Sequence, residues 1–423
     1  MAVAGDNIIL KNMGFEGTVS TNLTDNGVGG LIGLAESGTG TIVVPPVITG
    51  CSFRGDVRGS TNVGGIIGEA KNVFLNNCTV YQSTIRAIAP EDSYSLGNIG
   101  GFIGHGASIN IEDSFVSATK VIGNQNVGGL IGYSEDWGLI KNSHLSSTKI
   151  ESSETAFSTV SLGGIIGEAQ DIGVINSSFS GVIEAKGKVI SSVGGIAGIF
   201  YSEGYYSNKG LIKNSKFNGE ILLLLNNSDN GSHAVDIGGL VGRFLGEKIQ
   251  ESHSSGEITV ATTNNCDNFP YFENQGGLIG AIDQSVELAS REINISNSYS
   301  QLNIFSLACP GSNENVGGFI GSVTGAAYSN NHIEIKNSYS SGLVIANGTN
   351  LGGFIGYKNE SESIITIANS YWDIQTSGQS QSAGGEPRTT LEMISVPRPP
   401  NTYVGWDFQN VWQQVNGSYP WLR

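Results

Sequence analysis

The sequence predicts an all-β protein built as a parallel β-solenoid, and three observations lead to that prediction. An x-Gly-Gly-x-x-Gly hexapeptide recurs ten times in the 423 residues, at intervals of 28 to 44 residues. Asn-Ser pairs recur between the hexapeptides, and apolar residues alternate with polar ones beside them. No segment shows a sustained helical spacing of apolar residues. A motif repeated at such a period indicates structural repeats that stack on one another.

The hexapeptide marks one tight corner of each repeat. Its first copy is Val28-Gly29-Gly30-Leu31-Ile32-Gly33, and the other nine begin their glycine pairs at Gly64, Gly100, Gly128, Gly163, Gly194, Gly238, Gly276, Gly317 and Gly352. Glycine permits positive φ and a close approach of two backbones, which corners between solenoid strands require. A phosphate-binding loop would need a helix after the glycines, and no helical pattern follows them.

The Asn-Ser arm supplies the other recurring element. Around Asn337-Ser338 the residues Ile333 and Ile335 alternate with Glu334 and Lys336, which is the period of a β-strand. Eleven such arms occur between Asn12 and Ser370 if degenerate copies are counted. Each repeat is therefore predicted to hold three short strands, and stacking the repeats buries a common core. About eleven coils at a spacing of about 4.8 Å give a rod roughly 50 Å long.

Composition and charge exclude several classes of function. The chain has 61 glycines, 10 prolines, 14% charged residues and a net charge of −16, with no basic stretch. Nucleic-acid binding leaves an electropositive footprint, so we expect no nucleic-acid partner. Met1-Ala2-Val3 leads directly into polar residues and a strand, which argues against a signal peptide in this sequence. No apolar run is long enough to span a membrane.

The four cysteines fall at paired positions of the repeat. Cys51 and Cys78 take the serine position of the arm in consecutive coils, and Cys266 and Cys309 precede consecutive glycine pairs. Equivalent positions one coil apart lie about 5 Å from each other, within the Cα range of a disulfide. We expect a Cys266–Cys309 disulfide. For the first pair, a disulfide and two stacked buried thiols are both open; either disulfide would indicate an extracellular setting.

From Tyr371 the repeat pattern changes to an aromatic tail. We therefore divide the chain into solenoid repeats (1–370) and a C-terminal capping segment (371–423). The tail is rich in aromatic residues: Tyr403, Trp406, Phe408, Trp412, Tyr419 and Trp421. An open solenoid end exposes strand edges and core, so the tail is expected to cover it. An aromatic ligand-binding surface is the alternative.

The hexapeptide with interleaved Asn-Ser arms resembles the GLUG-motif repeat of bacterial surface and secreted proteins. The tail motifs Tyr371-Trp372-Asp373, Gly405-Trp406-Asp407-Phe408 and Tyr419-Pro420-Trp421-Leu422 resemble the segment that often closes such arrays. This resemblance covers essentially the whole chain and implies a right-handed β-helix in an adhesin-like protein at the cell surface. Some proteins with this repeat also carry a zinc peptidase, but its His-Glu-x-x-His motif is absent from this sequence.

One recurring position suggests a binding surface. The residue after the serine of each arm, which we call the outward slot, should point to solvent because the small serine before it faces inward. In three consecutive coils this residue is Tyr299, Tyr339 and Tyr371, and Trp372 follows directly. An exposed aromatic ladder would suit a sugar polymer. The alternative is that these tyrosines pack under loops or stack only on each other.

These observations favour an extracellular, adhesin-like rod that displays loops and an aromatic stripe to a glycan or a cell-surface protein. A structural spacer or filament subunit, associating end to end, is one alternative, and a polysaccharide-degrading enzyme is another. No enzyme activity is expected, because Glu69 and Glu168 both follow hexapeptides but lie three coils apart. No metal or cofactor is expected; calcium in the loops is left open, although no Asp-rich loop with ligand spacing occurs.

Overall fold

The computed structural model describes residues 3–5, 8–21, 27–37, 44–88, 97–153, 159–187, 190–203, 210–225, 233–262, 271–283, 292–307, 313–324, 331–359 and 363–423. Three parallel sheets contain all but two of the strands in these ranges, and each strand pairs with its equivalents in the neighbouring coils. This is a parallel β-solenoid, so the predicted fold class is confirmed. The number of about eleven coils stays a prediction.

Each hexapeptide contributes one strand to a sheet of ten, which we call the hexapeptide sheet. Its strands are Val28–Gly29, Val63–Gly64, Asn98–Gly100, Asn126–Gly128, Val160–Gly163, Ile190–Gly194, His233–Gly238, Tyr271–Gly276, Asn313–Gly317 and Asn350–Gly352.

The second sheet, the long sheet, follows each hexapeptide corner and runs to the Asn-Ser arm. Its twenty strands are Val3–Ala4, Ile9–Lys11, Ile32–Glu36, Val47–Thr49, Ile67–Asn76, Ile103–Glu112, Ile131–Glu135, Gly138–Lys141, Ile166–Gln170, Ile172–Ile175, Ala197–Tyr201, Leu211–Lys213, Val241–Leu245, Lys248–Gln250, Ile279–Asp283, Glu292–Ser296, Ile320–Thr324, Asn331–Lys336, Ile355–Lys358 and Ser363–Ala368.

The third sheet, the arm sheet, begins after each Asn-Ser pair. Its fifteen strands are Gly14–Ser20, Ser52–Gly59, Thr79–Tyr81, Thr84–Ala87, Phe115–Ser117, Lys120–Gly123, His144–Ser152, Ser178–Gly187, Lys216–Leu225, His253–Thr262, Tyr299–Leu307, Tyr339–Ser340, Val344–Ala346, Tyr371–Asp373 and Glu386–Arg388. The tail adds an antiparallel pair, Trp412–Gln413 with Trp421–Leu422, and two short helices, Ile374–Ser377 and Thr390–Ile394.

The hexapeptide glycines are needed because backbones of adjacent coils approach closely at this corner. A Cβ on Gly101 would lie 2.0 Å from the carbonyl oxygen of Gly129 in the next coil. A Cβ on Gly104 would lie 2.4 Å from the backbone nitrogen of Val63. No side chain tolerates such distances, so the motif is a steric requirement of the stacking.

The asparagine of the Asn-Ser arm forms the second corner by adopting the left-handed conformation. All eleven arms have φ between 48° and 64° at this position, which holds Asn12, Gly50, Asn77, Asp113, Asn142, Asn176, Asn214, Glu251, Asn297, Asn337 and Asn369. Asparagine, aspartate and glycine enter this region at lower cost than other residues. The recurrence of Asn is therefore explained by backbone conformation.

The serine that follows builds a buried hydrogen-bond ladder along the rod. The Ser177 hydroxyl donates to the carbonyl oxygen of Ile175 (2.9 Å) and accepts the Ser143 backbone N–H from the preceding coil (3.2 Å). The same pair of bonds recurs at Ser114, Ser143, Ser215, Ser252, Ser298, Ser338 and Ser370. Each hydroxyl is thereby satisfied in the interior, where an unpaired one would be costly.

Cys51 and Cys78 continue this ladder as free thiols. Both are buried, and their Sγ atoms contact the carbonyl oxygens of Thr49 (3.5 Å) and Asn76 (3.4 Å), as the serine hydroxyls do in later coils. The disulfide alternative for this pair is therefore wrong, and the stacked-thiol alternative holds. The physical reason is that each sulfur replaces a serine oxygen in a repeated bonding pattern. Cys266 and Cys309 lie outside the described residues.

The C-terminal end of the core is closed by the start of the tail. Trp372 packs so closely on Gly353 that a Cβ there would lie 1.9 Å from its ring. The Gly353 N–H donates to the carbonyl oxygen of Gln381 (3.0 Å), a bond that elsewhere goes to the next coil. The Ser382 hydroxyl accepts the N–H of Phe354 and of Ile355. Residues 379–385 thus substitute for a further coil and satisfy an exposed strand edge.

Candidate functional site

The outward slot faces away from the core, as the alternation predicts. Phe115 is 43% exposed, and His144 and Lys216 are also exposed. Toward the C-terminus the slot becomes a stack of parallel rings, with centroid distances of 4.6 Å between His253 and Tyr299 and 5.0 Å between Tyr299 and Tyr339. The predicted aromatic ladder therefore exists.

The predicted exposure of the ladder is wrong. Tyr299 is 6% exposed, Tyr339 0% and Tyr371 1%, and Trp372 is turned inward to the core with 4% exposure. The tyrosines are covered because the last part of the chain, residues 389–423, crosses the slot over three coils. We call this segment the strap. These four residues do not present a stripe to an external ligand.

The strap binds the ladder through its own aromatic rings and several hydrogen bonds. The Trp412 ring lies 6.0 Å from that of Tyr299 and 4.4 Å from that of Trp406. The Tyr339 hydroxyl donates to the carbonyl oxygen of Pro420 (2.8 Å), and the Trp406 indole N–H donates to that of Asn369 (2.9 Å). The ladder and the strap therefore form a second, smaller core outside the solenoid.

In the described ranges a different surface, open in its C-terminal part, runs along the side of the rod. It lies at the hexapeptide corner, where two columns of side chains face each other across the glycines. The first column stands two residues before each glycine pair except the first, where Gly27 has no side chain, and comprises Asn62, Asn98, Asn126, Ser161, Ser192, Asp236, Asn274, Asn315 and Asn350. The second, five residues after the first glycine, includes Glu69, His105, Tyr133, Glu168, Arg243, Ser322 and Tyr357.

The two columns enclose a groove of about 490 Å³ in the C-terminal half of the rod, which we call the amide groove. It is lined by Asp236, Arg243, Asn274, Asp283, Asn315, Ser322, Thr324, Thr349, Asn350 and Tyr357. Nearly all of these side chains are polar. Surface segments held on a rigid scaffold are where recognition residues commonly lie.

Asparagine amides form a continuous ladder along one wall of this groove. Asn350 Nδ2 donates to Asn315 Oδ1 (2.8 Å), Asn315 Nδ2 to Asn274 Oδ1 (2.8 Å), and Asn274 Nδ2 to Asp236 Oδ1 (2.7 Å). An amide has two N–H donors and an oxygen with two acceptor sites. In the part of the chain that the structure describes, each rung uses at most one donor and one acceptor site in the ladder. The ladder itself thus leaves one N–H and one acceptor site unused on Asn274 and on Asn315.

The other end of the ladder is held by an ion pair. Arg243 Nε donates to Asp236 Oδ2 (2.5 Å), and the Asp236 side chain is 1% exposed. Burial acts to lower the pKa of Arg243, but the carboxylates of Asp236 and Asp283 outweigh it and raise that pKa. Burial raises the pKa of Asp236, and the Arg243 guanidinium and the Asn274 amide oppose that shift. The two aspartates and one arginine of the described lining give a formal charge of −1.

Nearer the N-terminus the same columns carry titratable groups on consecutive strands. Burial raises the pKa of Glu168, and a hydrogen bond from Asn126 opposes the shift. The His105 ring stacks on Tyr133 with centroids 5.4 Å apart. Glu69 and Glu168 share one column but are separated by three strand spacings, about 14 Å. Two-carboxylate glycoside hydrolysis requires separations below about 10 Å, so this pair does not form such a site.

The described ranges lack two features, a metal-binding cluster and a membrane-spanning helix. They contain no group of three or more His, Cys, Asp or Glu side chains arranged to hold a metal ion. No helix within them combines the length and the apolar character that crossing a membrane would demand. Calcium in the loops and end-to-end association stay predictions.

The comparisons with known proteins support the predicted repeat. The family model described as the GLUG motif matches residues 123–151, which confirms the resemblance to this repeat. A putative Gly-rich membrane protein of Evansella cellulosilytica is 35% identical over 105 residues, covering 25% of this chain and 12% of that protein. No solved structure matches. The repeat sequence and the relative's name indicate a surface or structural repeat protein.

Proposed function

We propose that this chain is the rigid rod of an adhesin-like cell-surface protein and that it binds an extended ligand along the amide groove. The observation that carries the proposal is the groove itself, whose polar lining is contributed by successive coils. Equivalent positions of several repeats contact one ligand, so the spacing of the coils sets the spacing of these contacts. Surface location is supported by the GLUG match and by the membrane-protein relative.

Stiffness supports this role. Backbone pairing links every sheet along the rod, and the serine ladder adds side-chain bonds inside it. In a repeat protein, stability comes from these contacts between neighbouring coils. The tail closes one end and covers the tyrosine ladder, whereas the lateral groove is a polar concave surface among the described residues.

The proposal is tested by filling the groove from its rim. Thr349 is exposed and lines the groove, so Thr349→Trp would obstruct it without replacing a buried side chain. Ser146→Trp places the same bulk at an exposed position on the arm sheet and is the matched control. The unmodified chain, presented to an array of oligosaccharides and extracellular matrix proteins, should bind at least one of them. Thr349→Trp should weaken that binding at least about tenfold, and the control should leave it unchanged.

Two outcomes would contradict the proposal. If the unmodified chain binds nothing on the array, the spacer alternative is favoured. If Thr349→Trp and Ser146→Trp both bind as the unmodified chain does, the ligand lies elsewhere on the rod.

A further inference from the structure

The chemistry of the amide groove identifies the class of ligand. We infer that it binds a neutral glycan chain laid lengthwise across four coils, from Asp236 to Asn350. This inference rests on the proposed function and assigns its ligand. Three properties of the lining residues point to this class: their hydrogen-bonding groups, their charge and their spacing.

The hydrogen-bonding groups match those of sugars. A hydroxyl both donates and accepts, and each rung formed by Asn274 and Asn315 offers one N–H and one carbonyl acceptor site beyond the ladder. The ladder orients these amides before any ligand arrives. Binding therefore costs little conformational entropy in the protein, because these side chains are already ordered.

The charges argue against a charged polymer. Arg243 is already paired with Asp236, and Asp283 adds a second carboxylate to the groove. The whole chain carries a net charge of −16. A polyanion would be repelled at long range and would have to compete with Asp236 for the arginine. A polycation would be attracted at long range by the net charge, but the described lining of the groove itself carries a formal charge of only −1, which gives it little to hold such a polymer in place.

The spacing of the rungs fits a chain of sugar rings. Asp236, Asn274, Asn315 and Asn350 lie on four successive strands of the hexapeptide sheet, about 4.8 Å apart. A pyranose unit advances an extended glycan by a length close to this spacing, so successive rings meet successive amides. At the last rung Tyr357 is 38% exposed and lines the groove. Its ring offers an apolar face of the kind on which sugar rings pack.

The inference is tested by calorimetric titration of the full chain with neutral hexasaccharides (mannohexaose, maltohexaose and cellohexaose) and with hexagalacturonate as the anionic probe. At least one neutral probe should bind, and hexagalacturonate should not. Affinity should rise from disaccharide to trisaccharide and then level off, because three asparagine rungs are available, whereas Asp236 is buried and already paired. Binding should be insensitive to salt between about 0.05 M and about 0.5 M, since no net charge is neutralised.

Two variants locate the site. Tyr357→Ala should weaken binding of the neutral hexasaccharide about tenfold, whereas Tyr357→Phe keeps the ring and should bind normally. Asn350→Ala should also weaken it, while Trp137→Ala, which removes a ring 46% exposed outside the groove, should not. Circular dichroism of each variant verifies that the solenoid is intact.

The outcomes separate the inference from the proposed function. If Thr349→Trp abolishes binding of a protein ligand while no neutral hexasaccharide binds, the inference is wrong and the groove still functions. Tight, salt-dependent binding of hexagalacturonate, or neutral binding unaffected by Tyr357→Ala and Asn350→Ala, would also overturn it. If the chain binds no ligand of any class, both proposals fail.

Discussion

Two columns of side chains run along this rod, and they differ in their exposure to solvent. The outward slot carries the aromatic residues from which the sequence predicts a ligand site, yet Tyr299, Tyr339 and Tyr371 are covered by the strap. The asparagines beside the hexapeptide are less conspicuous, yet they line an open groove. Both columns follow from the same repeat. Their difference shows that a non-repeating segment decides which repeated surface reaches solvent.

The difference also has a physical cause. Stacked tyrosine rings form a broad apolar strip, and leaving them in water would forgo the gain from burying large aromatic surfaces. Asparagine amides pair with each other and can stay hydrated at no such cost. The aromatic column is therefore a structural element, while the amide column is free to act in recognition.

The largest expected effect comes from breaking the strap. Trp412 is fully buried against the tyrosine column, so Trp412→Ala should reduce the free energy of unfolding by about 3–5 kcal/mol. Trp137→Ala is the control, because Trp137 is 46% exposed, and it should change stability by less than about 0.5 kcal/mol. Guanidinium unfolding measures both. Similar effects for the two tryptophans would show that the strap does not cover the ladder.

The next effect depends on pH and concerns the residue beside a groove asparagine. Asn274 faces the groove, and Glu273 before it points inward, next to Glu314 of the adjacent coil. Burial raises the pKa of Glu273 from 4.5 to about 8, and Glu314 adds to the shift. The folded chain therefore holds this proton more tightly than the unfolded chain does. The resulting stability is fully present below about pH 4.5 and is lost as the pH rises to about 8.

Glu273→Gln should remove this dependence. The variant should be more stable than the unmodified chain by a few kcal/mol at pH 8.5 and nearly equal to it at pH 4. Glu220→Gln, at an exposed position of the arm sheet, is the control and should change little. Thermal unfolding between pH 4 and pH 9 gives the comparison. A variant less stable than the unmodified chain at pH 8.5 would contradict an inward, proton-binding Glu273.

A smaller effect on stability distinguishes the buried serine of one arm from the residue in its outward slot. Ser177 belongs to the buried ladder, so Ser177→Ala should cost about 1–3 kcal/mol by leaving the Ser143 N–H without its acceptor. Ser178 occupies the outward slot, where its hydroxyl lies 2.9 Å from His144 Nδ1 at the surface. Ser178→Ala should therefore cost less than about 0.5 kcal/mol. Urea unfolding of both variants checks this, and equal costs would place the two serines in equivalent environments.

The smallest expected effect on stability is at Tyr357. Its ring is 38% exposed in the groove, so Tyr357→Ala should leave the free energy of unfolding within about 0.5 kcal/mol of the original. Tyr339→Ala, from the covered column, should cost several kcal/mol in the same urea experiment. A large loss at Tyr357 would mean that it supports the fold.

Much of the fold could be predicted because steric requirements repeat in the sequence. The hexapeptide glycines mark a backbone approach that excludes any Cβ, and the arm asparagines mark a left-handed corner. Alternation around each arm correctly places the serines inside and the slot outside. The two cysteines can also be understood from this pattern, since each stands where later coils have serine.

The site could not be predicted as well, because coverage depends on contacts distant in sequence. Nothing local to Tyr299 indicates that Trp412, more than a hundred residues later, lies against its ring. The amide ladder did leave a signal, since Asn, Ser or Asp recurs two residues before most glycine pairs. That signal resembles ordinary loop composition unless the residues are aligned by the repeat.

The contrast between the two columns is tested most directly by tyrosine labelling of the native chain. Brief nitration with tetranitromethane, followed by peptide mass spectrometry, reports the accessibility of each ring. Tyr357 should be modified readily, while Tyr299, Tyr339 and Tyr371 should stay protected and become reactive in Trp412→Ala. If these three tyrosines are modified as fast as Tyr357 in the unmodified chain, the strap does not cover them and the aromatic ladder is exposed.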